Sequence, residues 1–300
     1  MAITLNAFGW RAVILPALGG AMASLHFEGE PVLPSAGPDV GDILDCASFP
    51  LVPFANRIGN GLLRIGERVV QLEREPVALP HAHHGHGWRR DWQVADVSDR
   101  HLTLFYDNPG QGASGDGGWP WSYRAEQRFV IHPGGIHIDM AIVNRDPQSA
   151  MPCGTGFHPY FVRRRASAIT LRATSIWANH PDGLAKALEP TDMFQGTQPV
   201  LVDALEELDN FFPCAEPVTI WGGDHPVVIH GTAMVGVHVY VPAKEDYFCV
   251  EPVSHPPDAF GRGEYTAADI VAPGATYHRR WDISLAAGLR ELDNIGDAQK

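Results

Sequence analysis

Short apolar runs with alternating polar residues recur along the chain, and most of them end at a turn signal. The clearest pair is Arg124–Ile131 and Ile136–Val143, which are joined through Pro133-Gly134-Gly135. A period of two is typical of β-strands that bury one face, because successive side chains of a strand point to opposite sides. The 31 glycines and 25 prolines among 300 residues favour many short elements joined by turns. Strands that follow one another without intervening helices indicate an antiparallel all-β architecture.

The same pattern predicts further strands in the rest of the chain. They are Arg11–Leu15, Met22–Phe27, Leu62–Ile65, Val69–Leu72, Trp92–Val97, Leu102–Tyr106, Ile169–Ala173, Val218–Trp221, Val227–His230, Val235–Val241, Tyr247–Val253 and Thr276–Leu285. Two segments, Leu201–Leu208 and Ala286–Leu292, are predicted to form short helices. No repeat and no low-complexity linker divides the sequence. We therefore expect residues 1–300 to form a single domain, a large antiparallel β-sandwich of two extended sheets with few short helices.

The charge balance excludes several classes of partner. The chain has 22 Lys and Arg against 35 Asp and Glu, which gives a net charge of −13. An acidic surface repels phosphate backbones and anionic lipids, so we expect the protein to bind neither nucleic acid nor membranes.

The N-terminal segment and the cysteines bear on location. The first residues lack the basic and apolar regions of a signal peptide, and no run approaches the about 18 apolar residues of a membrane-spanning helix. Four cysteines stand without a CxxC pair, at Cys46, Cys153, Cys214 and Cys249. A domain of this size does not need disulfides, so we expect reduced, buried thiols. Together these features predict a cytoplasmic protein.

Four histidines fall within six residues, at His81, His83, His84 and His86. On an extended segment His84 and His86 would share one face, and His81 and His83 the other. Three interpretations are open at this point. Alternate histidines chelate zinc or copper in metal sites. The same imidazoles, with Trp88 and the arginines Arg89 and Arg90 nearby, suit the wall of a pocket for a hydroxylated ligand, because indole rings stack on sugar C–H surfaces and guanidinium groups bind hydroxyls or anions. A solvated surface loop is the third interpretation.

Two further residues have the properties of an acid and a base. His158 stands among aromatic residues before Pro159, and a residue that precedes proline is restricted to extended geometry. Partial burial of such a histidine brings its pKa to a value that suits a general acid. Glu251 follows the apolar segment Tyr247–Val250, where desolvation would raise the pKa of a carboxyl and make it a stronger base. A core histidine bonded to backbone and a salt-bridged glutamate are the alternative, structural interpretations.

Two polar pairs stand in otherwise apolar strings. They are Asn56-Arg57, in the proline-stiffened segment 49–58, and Asp209-Asn210, which precedes two phenylalanines. Each pair is either a buried structural network or a ligand contact.

Taken together and in order, these strings resemble the aldose 1-epimerases, the galactose mutarotase-like proteins. The resemblance rests on PFANRI, a His-Gly before an aromatic stretch that ends in Trp, GFHPYF, LDNFF, and VEP followed by PPDAF. The segment Ala272–Thr276, which runs on to Trp281, is similar to the closing strand of the family. The resemblance covers about residues 5–285, and HGHGWRRDWQV is most similar to a bacterial branch of the family.

The resemblance implies a galactose mutarotase-like supersandwich that interconverts the α- and β-anomers of a free aldose without a metal or another cofactor. Matched residue by residue, His158 is the general acid that protonates the ring oxygen, and Glu251 is the general base that takes the proton of the C1 hydroxyl. The implied sugar contacts are Asn56, Arg57, His84 and Asp209, and Trp88 is added as a stacking surface. Asn210 departs from the family, which more usually has Asp-His, and His86, Arg89 and Arg90 also differ from the galactose-type pattern.

These departures concern the substrate more than the chemistry. The expected partner is a small monosaccharide, and the expected assembly is a monomer or a homodimer. Because guanidinium groups suit phosphate and sulfonate, Arg89, Arg90 and the run 163–165 motivate an alternative, a mutarotase for sugar phosphates or acidic sugars. A carbohydrate-binding protein that kept the cleft without catalysis is the alternative from another class. A metalloenzyme built on the histidines of residues 81–86 is the third.

Overall fold

A computed structural model describes residues 1–37, 40–110, 118–195, 198–205 and 207–286, and it consists mostly of β-strands. The strands up to residue 144 are β1 (Ile3–Ala7), β2 (Trp10–Leu15), β3 (Ala21–Phe27), β4 (Glu30–Leu33), β5 (Pro50–Leu51), β6 (Arg57–Ile58), β7 (Leu62–Ile65), β8 (Arg68–Gln71), β9 (Ala82–His83), β10 (Gln93–Val97), β11 (His101–Asn108), β12 (Tyr123–His132) and β13 (Gly135–Asn144).

The remaining strands lie between Met151 and Leu285. They are β14 (Met151–Pro152), β15 (Gly156–Phe157), β16 (Tyr160–Val162), β17 (Ala168–Thr170), β18 (Arg172–Asn179), β19 (Ala185–Gln195), β20 (Val200–Leu201), β21 (Leu208–Pro213), β22 (Val218–Trp221), β23 (Val227–Gly231), β24 (Gly236–Val241), β25 (Tyr247–Val253), β26 (Ile270–Val271) and β27 (Thr276–Leu285). Helical structure in the described residues is one α-helical turn, α1 (Ala259–Arg262), and 3₁₀ turns at Ile43–Asp45, Gly59–Gly61, Pro76–Ala78, Gly87–Arg89, Val202–Leu205 and Ala267–Asp269.

Two large antiparallel sheets form the body of the molecule. One has nine strands in the order β10-β11-β12-β13-β27-β23-β22-β17-β20. The other has eight, in the order β19-β18-β21-β24-β25-β15-β5, with β16 also paired to β25. Strands β1–β4 form a further sheet, and the two-stranded sheets β6-β9, β7-β8 and β14-β26 complete the fold. The prediction of an all-β sandwich with few short helices is confirmed.

The apolar residues that alternate along the predicted strands are the ones that form the buried core. In β13, Ile136, Ile138, Met140 and Ile142 are buried, whereas the side chains between them are mostly half-buried. Strands of both large sheets contribute to one continuous hydrophobic cluster, which includes Ile138 from the first and Phe212, Val239 and Phe248 from the second. Burial of this apolar surface is the main term that stabilises the fold.

Most predicted strands are present, and so are the predicted hairpins at residues 66–67, 98–100 and 133–135. The predicted strand Ile169–Ala173 is in fact two strands, because the chain passes from the nine-stranded sheet to the eight-stranded one at the buried Leu171. The four cysteines are buried and free, as expected.

The predicted helix at Leu201–Leu208 is wrong. Only Val202–Leu205 makes a single 3₁₀ turn, and Glu207 has a positive φ of 68° that ends any helical path. Leu208 then begins β21, because LDNFFP pairs with β24 over its whole length. The other predicted helix, Ala286–Leu292, lies outside the described residues after Ala286.

Replacement of Phe212 by alanine tests where the core lies. Its ring is fully buried on β21 and contacts Phe194 with ring centroids 5.0 Å apart. Phe212→Ala should therefore lower the free energy of unfolding by about 3–5 kcal/mol in urea denaturation. The matched control is Leu188→Ala on β19, where the side chain is 52% exposed and a change within about 0.5 kcal/mol is expected. Equal effects of the two substitutions would contradict this placement of the core.

Candidate active site

Strand register brings four polar side chains to one face of the eight-stranded sheet. Asp209 of β21 lies opposite Tyr240 of β24, and His238 of β24 lies opposite Glu251 of β25. Opposed residues of antiparallel strands project to the same side, and residues two apart on a strand do so as well. The alternate residues, such as Val239, point into the core. This face of the sheet therefore forms the floor of a cavity.

His158 lies at the junction of β15 and β16, next to this floor. Its backbone N–H donates a hydrogen bond to the carbonyl of Phe49 at 2.9 Å. Its ring stacks against Phe49 and Tyr160, with centroid distances of 4.5 and 4.9 Å. The proline at 159 and these two rings fix the direction of the imidazole, whose Nε2 lies 3.3 Å from Oε1 of Glu251.

The strand pair β6-β9 supplies the opposite wall. Arg57 is paired with His83, and the residues beside them, Asn56 and His84, both have a φ of 57°. Asn56 N–H donates to His84 Nδ1 at 3.1 Å, and His84 N–H donates to the carbonyl of Asn56 at 2.9 Å. Because Nδ1 accepts this bond, a neutral His84 ring carries its proton on Nε2.

The left-handed conformation of His84 overturns the expected alternation in residues 81–86. His83 and His84 both line the cavity, with ring centroids 3.6 Å apart. His86 does not line this cavity, and its Nε2 is 3.0 Å from the Tyr123 hydroxyl. His81 turns away to accept a hydrogen bond from Asn60 N–H and lies 3.4 Å from Asp182. The four histidines do not gather into one metal site.

A closed ring of hydrogen bonds holds the sugar-contact candidates together. Arg57 N–H donates to Asn56 Oδ1 at 2.8 Å, and Asn56 Nδ2 donates to His238 Nδ1 at 3.0 Å. His238 Nε2 donates to Asp209 Oδ1 at 2.5 Å, and the Arg57 guanidinium donates to Asp209 Oδ2 at 3.3 Å. Burial raises the pKa of the Asp209 carboxyl, but the hydrogen bond from His238 and the charge of Arg57 outweigh it and hold the pKa of Asp209 well below its usual range.

These groups enclose a cavity of about 270 Å³. Its walls consist of polar and aromatic side chains with two aliphatic ones. They are Leu44, Asn56, Arg57, Val77, His83, His84, His158, Tyr160, Asp209, His238, Tyr240, Tyr247 and Glu251. A concave site with convergent polar groups and aromatic surfaces is typical of small-molecule binding.

Burial shifts the pKa values of Glu251 and His158 in opposite directions. Glu251 is 2% exposed, and desolvation raises the pKa of its carboxyl to about 7. Desolvation lowers the pKa of His158 to about 3, and it also lowers the pKa of His84, with help from the nearby His83 and His158. At pH values between about 3 and about 7, the pair of Glu251 and His158 therefore holds one proton across a 3.3 Å contact.

Six of the seven predicted site residues line this cavity, and Trp88 does not. Its indole is 1% exposed, stacks behind Phe49 at 5.2 Å and donates from Nε1 to the carbonyl of Gly85 at 3.1 Å. The 3₁₀ turn Gly87–Arg89 directs the Trp88 ring into the core. The expectation that Trp88 offers a stacking surface to a sugar is therefore wrong, and its ring packs behind the cavity wall instead.

The sequence-based prediction missed several wall residues, including Tyr160, His238 and Tyr240. His238 and Tyr240 alternate within the correctly predicted strand β24. The alternation showed that they share a face, but the register with Glu251 was needed to show that this face is the cavity floor.

His84, His158 and Glu251 place potential metal-ligand atoms within 4.8 Å of one another. The hydrogen bond that His84 Nδ1 accepts from Asn56 argues against a cation here. It leaves the ring proton on Nε2, which makes this nitrogen a donor to an oxygen atom and not a metal ligand. The three groups fit proton transfer better than metal coordination.

A comparison with protein families identifies the chain. The model of the aldose 1-epimerase family matches residues 1–284. The chain belongs to this family. In the curated proteins, the uncharacterized protein YphB of Escherichia coli K12 is 28% identical over 280 residues, which is 85% of this chain and 89% of that protein. The uncharacterized protein YihR of the same organism is 25% identical over 274 residues, covering 87% and 86%.

Solved structures of similar proteins share the fold. A candidate aldose 1-epimerase from Escherichia coli K12 superposes with a TM-score of 0.84 and 25% identity, over 95% of this chain and 98% of the other. A galactose mutarotase-like protein from Clostridium acetobutylicum has a TM-score of 0.82 at 14% identity, covering 95% and 94%. Membership places the protein with carbohydrate epimerases. Within the described residues, no helix is long and apolar enough to span a membrane.

Glu251→Gln tests the desolvation of this carboxyl through stability. The ordinary pKa of 4.5 applies to the unfolded chain, and the folded protein has about 7. The stability contributed by the protonated carboxyl is therefore complete below pH 4.5 and is lost as the pH rises through 7. At pH 8 we expect the free energy of unfolding of the variant, measured by urea denaturation, to exceed that of the wild type by about 3 kcal/mol. At pH 5 the two free energies should differ much less.

The exposed Glu189→Gln is the control and should show no such pH dependence. A difference between Glu251→Gln and the wild type that is the same at both pH values would show that Glu251 is not desolvated.

Proposed function

We propose that the protein is an aldose mutarotase, which interconverts the α- and β-anomers of a sugar by opening and reclosing its ring. The observation that carries the proposal is the buried contact of 3.3 Å between His158 Nε2 and Glu251 Oε1 inside a polar cavity. Ring opening needs one proton removed from O1 and one delivered to O5. A carboxylate and an imidazole side by side supply both groups.

Proton balance defines the reactive form of the pair. The ionised Glu251 takes the O1 proton, and the imidazolium of His158 gives its proton to O5 as the C1–O5 bond breaks. The resulting aldehyde turns about C1–C2 and recloses on its other face, with the two roles reversed. Ionised Glu251 with the His158 imidazolium holds one proton in total, and so does protonated Glu251 with a neutral His158. Transfer of that proton from Glu251 to His158 therefore produces the reactive form without exchange with solvent.

The other walls of the cavity suit the sugar hydroxyls. Asp209 offers carboxylate acceptors, the Arg57 guanidinium offers donors, and the Nε2–H of His84 is a further donor beside His158. The hydrogen-bonded ring through Asn56 and His238 fixes these groups before a sugar arrives, which lowers the entropy cost of binding. A free monosaccharide in the cytoplasm, bound by a monomer or homodimer without a cofactor, remains the expectation from the sequence.

Two substitutions test the role assignment. Glu251→Gln removes the base and His158→Asn removes the acid, and each should lower kcat about 100-fold or more because a positioned acid or base contributes about 10²–10⁴-fold. Arg57→Ala should mainly raise KM. The measurement is NMR-monitored or polarimetric anomerisation of a panel of free aldoses.

Glu189→Gln and His225→Asn, both exposed and outside the cavity, are matched controls that should keep the wild-type rate. Near-wild-type rates in Glu251→Gln or His158→Asn would overturn the assignment. Measurable sugar binding without acceleration by the wild type would instead favour a carbohydrate-binding protein on this scaffold.

A further inference from the structure

Two carboxyl groups and one imidazole share the floor of the catalytic cavity. Asp209 lies on β21 and Glu251 on β25, and the strand between them, β24, carries His238. All three side chains line the cavity. Besides desolvation, the charge of Asp209 raises the pKa of Glu251, because two like charges in one cavity repel each other. The site therefore favours one ionised and one protonated carboxyl, and the neighbouring donors determine which of the two is ionised.

The hydrogen bonds of His238 reach only one of the two carboxyls. The Asn56 amide accepts the Arg57 N–H at its Oδ1 at 2.8 Å, so its Nδ2 is the atom that lies 3.0 Å from His238 Nδ1. An amide nitrogen only donates, and His238 Nδ1 therefore accepts. The ring proton is on Nε2, which donates to Asp209 Oδ1 at 2.5 Å. In the described part of the chain, no hydrogen bond joins His238 to Glu251.

The two carboxyls differ in their donors. Asp209 has one donor for each oxygen, since the Arg57 guanidinium donates to Oδ2 at 3.3 Å. Glu251 instead has His158 Nε2 at 3.3 Å from Oε1. Burial raises the pKa of both carboxyls, and it brings that of Glu251 to about 7. At Asp209 the bond from His238 and the charge of Arg57 outweigh burial, so this carboxyl is the anion of the cavity.

A bound sugar makes the donor from His238 more important. The side chain of Asp209 is 34% exposed in the free protein, whereas that of Glu251 is 3% exposed. A sugar in the cavity displaces water from Asp209, and loss of water raises the pKa of a carboxyl. The Arg57 guanidinium lines the same cavity and would share its donors with sugar hydroxyls. His238 is 5% exposed with both ring nitrogens bonded, so a sugar does not compete for its bond to Asp209.

We propose that His238 is a positioning residue that keeps Asp209 ionised and directs its free acceptor sites toward the sugar, a role that rests on the mutarotase activity proposed above. The strength of sugar binding then does not change over the pH range in which Glu251 takes up and releases its proton. His238 acts through Asp209 and does not touch the reacting atoms. Sugar binding and proton transfer are thereby assigned to different carboxyls of one cavity.

His238→Phe tests this role, because it keeps a ring and removes both hydrogen bonds. At pH 7 we expect KM to rise about tenfold or more, because a hydrogen bond to a charged group is lost, and kcat to change by less than about threefold. Burial is the largest single influence on the pKa of Asp209, so without His238 this pKa should rise above its ordinary value of 3.8. KM of the variant should therefore rise further as the pH falls from 7 to 4.5, whereas KM of the wild type should stay constant. The measurement is NMR-monitored anomerisation of D-glucose and D-galactose.

His238→Gln is the conservative variant. The Nε2–H of a glutamine can reach the position of the histidine Nε2–H and donate to Asp209. KM should therefore return to within about threefold of the wild type and should again be independent of pH. The control is His225→Phe, which replaces an exposed histidine outside the cavity and should leave KM and kcat unchanged. Thermal unfolding of the three variants is measured alongside.

The ionisation of Asp209 can also be followed without catalysis. In protein labelled with ¹³C at the aspartate side-chain carboxyls, the resonance of Asp209 is assigned by its absence in Asp209→Asn. We expect this carboxyl to stay ionised from pH 8 to pH 4 in the wild type and to take up a proton within this range in His238→Phe. In the wild type, ¹⁵N spectra of the His238 ring should show a proton on Nε2. If His238→Phe does not fold, the ¹⁵N spectra and the KM of His238→Gln decide.

Three results would overturn the role of His238 while the mutarotase activity stands. The first is a KM of His238→Phe that stays near the wild-type value at pH 7 and at pH 4.5. The second is a neutral His238 ring with its proton on Nδ1, and the third is an equal rise of KM in His238→Phe and His238→Gln. If the wild type anomerises no aldose, the mutarotase activity itself fails, and the titration of Asp209 decides about His238. Protonation of Asp209 only in His238→Phe supports the role, and an unchanged titration removes it.

Discussion

Burial of a carboxyl and an imidazole in contact with each other is the constraint on which the rest of the site depends. In water, Glu251 and His158 would be charged and neutral, respectively, near neutral pH, and neither would be matched to its task. Removal from water raises the pKa of Glu251 to about 7 and lowers the pKa of His158 to about 3, so the pair retains the proton that the proposed transfer to a substrate requires. The cost of burying both groups is offset by the large apolar core between the two sheets.

The β-architecture supplies the precision that the proposed chemistry needs. Adjacent antiparallel strands place Asp209, His238 and Glu251 on one face by register alone, and their positions are fixed by backbone hydrogen bonds. The opposite wall is held in another way. Asn56 and His84 adopt left-handed backbone conformations, and the two residues are joined by hydrogen bonds that involve their backbones and the His84 ring. The polar ring that joins these walls positions the groups in advance, which is how a rigid scaffold favours a transition state.

The sequence predicted the class of fold, and most of the residues that meet in one cavity, better than the arrangement around them. Alternation in β12 and β13 was sufficient to predict their hairpin. The motifs around His158 and Glu251 drew attention to the two residues that we propose as acid and base, and the structure places them 3.3 Å apart. Other features depend on tertiary geometry and could not be read from local pattern: the inward turn of Trp88, the separation of His86 from His84, and the face on which His238 lies. The edge strand β19 was missed because its side chains are mostly exposed and do not alternate with apolar ones.

The titration of Glu251 itself tests the central claim most directly. In protein labelled with ¹³C at the glutamate side-chain carboxyls, the resonance of Glu251 can be assigned by its absence in Glu251→Gln and followed with pH. The account predicts a midpoint near 7, because the carboxyl is desolvated beside a neutral His158. A midpoint near the ordinary value of 4.5 would contradict it, since Glu251 and His158 would then share no proton at neutral pH.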